Sequence, residues 1–166
     1  MRRRRGGAML ETALFVPILF TLLVGMVQIG KITYVYYTLR KTLYTAGRFV
    51  AAQQGVNFCD DADAAILAAK NFALSGSSSE EATDTVIPTL TADMIAISVE
   101  RYDAESGVPA ACECSVAGCD AANGGGSPDF VVVTIPNGFE VNPRIPFLTV
   151  DPILLRPMVR VPYGGS

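Results

Sequence analysis

The strongest pattern in the chain is a long apolar run close to its N-terminus. From Thr12 to Gly30 there are nineteen residues without a charge, TALFVPILFTLLVGMVQIG. A helix of this length is about 28 Å long at ~1.5 Å per residue, close to the ~30 Å hydrocarbon core of a bilayer. The run is longer than the apolar core of a secretory signal, and a domain of this size rarely buries such a helix. We therefore predict a transmembrane helix over residues 7–30.

Apolar residues continue beyond this run at spacings of three and four. This periodicity predicts that the helix extends outside the membrane over residues 31–55 and ends near Gly55. The resulting stripe covers either this chain's own sheet or other subunits. Its members are Ile32, Val35, Leu39, Leu43, Ala46 and Val50.

A second, shorter helix is predicted by DADAAILAAKNFAL, just after the first helix ends. Asp60, Asp61 and Asp63 lie at or before its start, where aspartate caps helix N-termini. Three clustered acids can also suggest calcium, but the spacing of an EF-hand is missing. We favour N-capping, and we expect residues 75–85 to form a polar connection.

Strand patterns fill the rest of the chain. MIAISVERYD alternates like a half-buried strand, FVVVTI is a continuous apolar strand, and PMVRVPY is a last strand. The turn signal Pro136-Asn137-Gly138 follows FVVVTI, so we expect FEVNP to begin a return strand. The whole pattern predicts an α+β fold, with a long N-terminal transmembrane helix, a second short helix and an antiparallel sheet of about three to four strands. Residues 56–166 would form the domain outside the cytoplasm, with a loop over 104–129.

Charge sets the expected orientation and narrows the function. Arg2–Arg5 precede the apolar run, residues 31–52 carry four bases and no acid, and residues 53–166 carry 15 acids and 5 bases. The dense arginine cluster favours a cytoplasmic N-terminus and an extracytoplasmic C-terminus. The acidic distal part argues against nucleic acid as a partner. The chain contains no histidine, which removes the commonest general base and zinc ligand. We expect no enzyme activity, no metal and no cofactor.

Four cysteines in the acidic part favour disulfides in an oxidising compartment. Cys59 stands alone, while Cys112, Cys114 and Cys119 lie in the 104–129 loop. Pairing within Cys112-Glu113-Cys114 is geometrically tight, so Cys59 is expected to pair with one of those two cysteines and Cys119 with the other. A zinc site of four cysteines is the alternative, although such sites usually show two CxxC knuckles.

The N-terminal string RRRRGGAMLETALFVPILFTLLVGMVQIG resembles the start of TadE-like minor pseudopilins from tight-adherence pilus systems. The family pattern is a basic leader ending in Gly, a Glu at the fifth mature position and a hydrophobic helix. A cut between Gly6 and Gly7 makes Glu11 the fifth residue. LYTAGRFVAAQQG, residues 43–55, resembles the helix that follows the membrane span in this family.

The resemblance implies a non-enzymatic structural or assembly component of a bacterial Tad/Flp pilus. Residues 1–6 would be the leader, Gly6 and Gly7 the processing site and Glu11 the assembly or recognition residue. The implied partners are a prepilin peptidase, other pilin or pseudopilin subunits and membrane lipid, with the protein in the inner membrane or in a surface pilus. The alternative is a membrane-anchored adhesion or binding module that stays outside the pilus. An anchored enzyme using carboxylates is a third and weaker hypothesis.

Overall fold

The computed structural model describes residues 5–76, 85–116, 118–120, 123–145 and 149–165. Its first element is helix α1, Arg5–Ala51, which spans 47 residues without a break at Pro17. The helix ends one turn before Gly55, where the sequence pattern predicted its end. The cause is a tertiary contact: the N–H of Gly164 donates to the carbonyl of Ala51 at 3.0 Å and takes the place of the next helical bond.

Helix α2, Ala64–Ser75, follows after a short connection. Asp63 is its N-cap, because Asp63 Oδ1 accepts the N–H of Ala65 at 2.8 Å. The capping interpretation of the acidic cluster is therefore confirmed at Asp63. The helix ends at Gly76, whose φ of 75° is left-handed and whose N–H donates to Phe72. Most of the predicted polar connection 75–85 lies outside the described residues.

The described residues form strands β1 Ala96–Tyr102, β2 Pro109–Ala111, β3 Phe130–Thr134, β4 Phe139–Val141, β5 Ile153–Leu155 and β6 Met158–Pro162, with a short 3-10 helix at Ala92–Met94. The main sheet has four antiparallel strands in the order β2-β1-β3-β6. A second sheet pairs β4 with β5, also antiparallel. The predicted α+β class is confirmed, and MIAISVERYD, FVVVTI and PMVRVPY each contain a strand.

The expected return strand after FVVVTI was only partly right. FEV does form strand β4, but it does not pair back onto β3. The reason is that both edges of β3 are already occupied, by β1 on one side and β6 on the other. β4 therefore pairs with β5, and it buries Phe139 and Val141 while Glu140 is exposed.

The core lies between the C-terminal half of α1, helix α2 and the main sheet. Helix α1 packs closely against the sheet at Gly47. A Cβ there would lie 3.1 Å from Val161 Cγ2 and 3.2 Å from Val133 Cγ2. On the other side of the helix, Phe49 stacks on Phe72 of α2 with ring centroids 5.4 Å apart. The C-terminal half of α1 is thus the central element of the folded head, by which we mean residues 39–165.

Candidate functional site

The first half of α1 presents an apolar surface that the described part of the chain leaves uncovered. Met9, Leu14 and Leu19 are 79%, 68% and 62% exposed, and Ile29 is still 66% exposed. Within the described residues one helix is long and apolar enough to cross a membrane, and no part of its most apolar 18-residue window is buried. Large apolar surfaces are rarely left in water, so this half requires lipid or another protein. We call Met9–Val27 the exposed span.

The residues expected at the processing and assembly site lie at the start of this helix. Gly6 and Gly7 are within its first turn, and Glu11 follows in the second. Glu11 is exposed, and it lies between the apolar neighbours Leu10 and Leu14. A carboxylate at this depth is costly in a membrane unless it lies near the interface or has a partner. The structure thus brings the three residues to one end of the exposed span.

The hydroxyl of Thr21 within the span is satisfied along the helix. Pro17 has no N–H to donate, and the hydroxyl of Thr21 donates to the carbonyl of Pro17 at 2.9 Å. Such hydroxyl bonds to the preceding turn suit a membrane helix, because no water is present to bind the polar atoms.

The head contacts α1 at Gln28. Gln28 Nε2 donates to the carbonyl of Arg144 at 2.7 Å, a contact between residues 116 positions apart. Beyond this point the helix becomes progressively covered: Ile32 and Val35 are half-buried, and Leu39, Leu43, Ala46 and Val50 are fully buried. The nineteen residues of the exposed span make a helix of about 28 Å. This length matches the hydrocarbon core, so the Gln28 contact marks where a membrane would end.

Four basic residues in the second half of α1 lie outside its buried stripe. Lys31, Arg40, Lys41 and Arg48 are all exposed. The guanidinium of Arg48 lies over the ring of Tyr44, 5.9 Å from its centroid. The stripe predicted to bury against the sheet or against subunits is therefore buried in this chain at its distal turns, whereas the basic residues point to solvent.

All four cysteines are paired. Cys59 bonds to Cys114, and Cys112 bonds to Cys119. This is one of the two pairings that the sequence favoured, and it leaves no thiolate for the alternative zinc site. Cys119 is 1% exposed while Cys114 is exposed, so the two bridges join the 112–119 loop both to the core and to the segment after α1. The bridges hold a loop with little regular structure in place.

Acidic side chains in the head form hydrogen bonds and an ion pair that stabilise the fold. In the turn after β1, the Ser106 hydroxyl donates to Asp103 Oδ2 at 2.7 Å, and the N–H of Glu105 donates to Asp103 Oδ1. These bonds, the Ser106 bond first, lower the pKa of Asp103 below its ordinary value. Across the sheet, Arg160 Nε lies 2.6 Å from Glu100 Oε2. Among the described residues there is no cluster of three or more His, Cys, Asp or Glu that could hold a metal ion.

Sequence reasoning missed the Gln28–Arg144 contact, which joins the head to α1 near the outer end of the exposed span. Gln28 lies inside the uncharged run that was predicted to cross the membrane. The one available signal was its amide, since a glutamine near the end of an apolar run is a possible interfacial residue. Its partner could not be identified, because a backbone carbonyl carries no sequence signature.

Comparison with known proteins adds one finding. The family model of the TadE-like protein family matches residues 6–48. The match begins at the expected processing site, includes Glu11 and extends through the exposed span into the buried half of α1. No curated protein and no solved structure matches the chain. The resemblance is therefore confirmed: over residues 6–48 this chain matches the TadE-like family, whose members are associated with Tad pili.

Proposed function

We propose that this protein is a minor pseudopilin, a structural assembly component of a tight-adherence pilus system. The observation that carries the proposal is the coincidence of two features. The family match runs over residues 6–48, and the first half of the same segment is a helix whose apolar surface has no cover in the described chain. A subunit that is stored in a membrane and then packed against other subunits needs such a helix.

The proposed maturation step is cleavage between Gly6 and Gly7 by a prepilin peptidase. Cleavage removes four arginines and leaves 9 basic and 16 acidic residues, a net charge of 9 − 16 = −7. It also releases the exposed span from its cytoplasmic anchor and creates an amine at Gly7. In the low dielectric of the membrane this amine and the Glu11 carboxylate of a neighbouring subunit would form an ion pair, because either charge alone is costly there.

Glu11→Ala tests this step in cells that carry the pilus system. The substitution is expected to abolish recovery of the protein with pilus subunits and the assembly machinery, while the protein still accumulates in the membrane. Leu14→Ala is the matched control, since Leu14 is exposed in the next turn and is uncharged. Unchanged incorporation of Glu11→Ala would contradict the assigned role.

The alternative function is a membrane-anchored adhesion module outside the pilus. The observation that favours it is the exposed apolar surface at the end of the sheet remote from the exposed span, where Tyr102 is 56% and Val108 is 55% exposed. A deletion strain distinguishes the two functions. Loss of piliation supports the pseudopilin, whereas intact pili with lost adhesion supports the module.

A further inference from the structure

The second sheet forms a small lobe at one end of the head. We define the β4–β5 lobe as residues 139–145 and 149–156. Its connection is tied to α1 by the bond from Gln28 Nε2 to the Arg144 carbonyl, at 2.7 Å. The lobe therefore lies beside the helix where the exposed span ends and the covered half begins.

The register of the main sheet shows which way the head points. Met158 and Arg160 of β6 share a groove with Tyr37 and Arg40 of α1. The other end of the strand lies near the helix end, since Gly164 donates to Ala51. β6 thus runs along α1 away from the exposed span. Thr134 pairs with Met158 at the near end, and Phe130 pairs with Pro162 at the far end.

The chain leaves β3 at this near end and continues toward the exposed span. After Thr134 the chain turns at Gly138, whose φ is 80°. Strand β4 follows and leads to Arg144, whose carbonyl accepts the hydrogen bond from Gln28 of α1. The turn between β1 and β2, which contains Val108, lies at the opposite, far end of the sheet. Glu100 pairs with Phe130 at that end, and the Tyr102–Pro109 pair lies two residues farther along β1. The lobe is the part of the described head that reaches farthest back along α1.

The outer surface of the lobe carries two exposed apolar side chains, Val150 at 38% and Leu154 at 46%. Leu154 pairs with the exposed Glu140, whereas Ile153 pairs with the buried Val141 and lies on the same face of the sheet as Val141. The charged side chains of the lobe are Glu140, Arg144, Asp151 and Arg156, all exposed. Two acids and two bases balance, so net charge does not drive the lobe toward any partner. The apolar side chains and the long arginines, whose stems can lie in an interface, are the features that a ligand would meet.

We propose that the β4–β5 lobe rests on the outer leaflet of the membrane, at the boundary between headgroups and acyl chains. The inference rests on the proposed function, because it requires the exposed span to cross the bilayer. The height of the lobe relative to the bilayer follows from its contact with Gln28, because Gln28 lies directly after a span as long as the hydrocarbon core. The apolar residues Val150 and Leu154 lie in the interface, and the backbone polar groups beside them stay among the headgroups, where they remain hydrated.

This contact gives the anchored subunit a second attachment beside its helix. A single helix leaves the head free to tilt and rotate above the bilayer, whereas a lobe in the interface fixes the height of the head. Leaving the membrane for a filament would then require the lobe to separate from lipid.

Tryptophan fluorescence in bilayers tests the inference, because the chain contains no tryptophan. Three single variants of the full chain are reconstituted in phosphatidylcholine vesicles without bromine, with bromine on the acyl chains near the headgroups, and with bromine near the chain ends. Leu154→Trp reports on the lobe, Leu19→Trp on the exposed span and Val108→Trp on the far end of the sheet. All three positions are exposed in the structure, at 46%, 62% and 55%. Val150→Trp is a second reporter on the lobe in case Leu154→Trp does not fold.

The expected result is quenching of Leu154→Trp by bromine near the headgroups and of Leu19→Trp by bromine near the chain ends, with unchanged emission from Val108→Trp. Quenching of Leu19→Trp without quenching of either lobe reporter would overturn the inference and leave the membrane helix intact. Absence of quenching at Leu19→Trp would overturn the membrane helix and the lobe contact together. A blue-shifted but unquenched Leu154→Trp, whose shift disappears when the protein is diluted in lipid, would assign the lobe to a second copy and also overturn the inference.

Discussion

The two halves of helix α1 are both apolar, yet they have opposite environments. In the first half Leu19 is 62% exposed, and in the second half Leu43 is fully buried. The helix is continuous between them, so secondary structure does not account for the difference. The difference lies in the partner: the second half has the sheet and α2 of its own chain, and the first half has no cover in the described residues.

This contrast separates two uses of hydrophobicity in one element. The buried half stabilises the head through the transfer of its side chains out of water. The exposed span contributes nothing comparable within the chain, so its apolar surface remains for lipid or for other subunits. Substitutions in the two halves should therefore affect different measurements.

The largest expected effect is that of Leu43→Ala. Removing this fully buried side chain leaves a cavity against the sheet and lowers the free energy of unfolding of the head by about 2–5 kcal/mol. Urea titration of the full chain in detergent micelles, followed by the near-ultraviolet circular dichroism of tyrosine, measures the loss. Leu19→Ala is the matched control and should leave the unfolding midpoint unchanged. Equal losses of unfolding free energy in Leu43→Ala and Leu19→Ala would contradict the difference between the two halves of α1.

The two disulfides sharpen the comparison, because they act on the head alone. Cys59–Cys114 closes a separation of 55 residues and Cys112–Cys119 one of 7. Loop-closure entropy predicts losses of about 4 and about 2 kcal/mol when each pair is replaced by alanines. The same urea titration ranks the two double variants.

Retention in the membrane provides the second readout for these variants. Neither pair touches the exposed span, so both double variants should remain with the membrane after an alkaline wash. Release of either variant would show that the head, rather than the span, holds the protein there.

Gly47→Ala should destabilise the head by about 1 kcal/mol. The added Cβ would lie only 3.1 Å from Val161 Cγ2 and 3.2 Å from Val133 Cγ2. The overpacking of about 1–3 kcal/mol exceeds the gain of about 1 kcal/mol from replacing glycine within a helix. Gly25→Ala is the control in the exposed span, where an added Cβ meets nothing within 4 Å. Thermal unfolding of the head should shift downward for Gly47→Ala and stay constant for Gly25→Ala, and a higher midpoint for Gly47→Ala would be the opposite of this prediction.

The smallest expected change in stability is at the start of helix α2, which packs against the buried half of α1. Asp63→Ala removes the N-cap of α2, which accepts from Ala65 at 2.8 Å and from Asn57 at 3.1 Å, and should cost about 1 kcal/mol. Asp61→Ala is the neighbouring control. Its ion pair with Lys70 has an 85% exposed carboxylate, so its loss should change stability by less than about 0.5 kcal/mol. Chemical denaturation of the two variants under one buffer condition checks the difference, and equal values would remove the capping role.

Much of the fold was predictable because its signals are local. The membrane-length helix follows from the uncharged run Thr12–Gly30, α2 from its Asp63 cap, and β3 from a continuous apolar segment. The end of α1 and the partner of β4 were not predictable. The first depends on Gly164 bonding to Ala51, and the second depends on both edges of β3 being occupied. Each is a contact between distant parts of the chain.

The candidate site also has features that the local sequence predicts and features that depend on distant contacts. Gly6, Gly7 and Glu11 follow from a short motif in the sequence, and their roles remain predictions. The limit of the exposed span at Gln28 required the structure, because the uncharged run continues to Gly30. The choice of Cys114 over Cys112 as the partner of Cys59 also required the positions of both loops.

N-terminal sequencing of the protein recovered from washed membranes tests the central claim most directly. The claim is that the exposed span is retained as a pilin-type membrane helix after its basic leader is removed. The predicted first residue is Gly7, with Glu11 in the fifth position. A protein that begins at Met1 would contradict the processing, and one that begins beyond Gly30 would show that the helix is a cleaved signal.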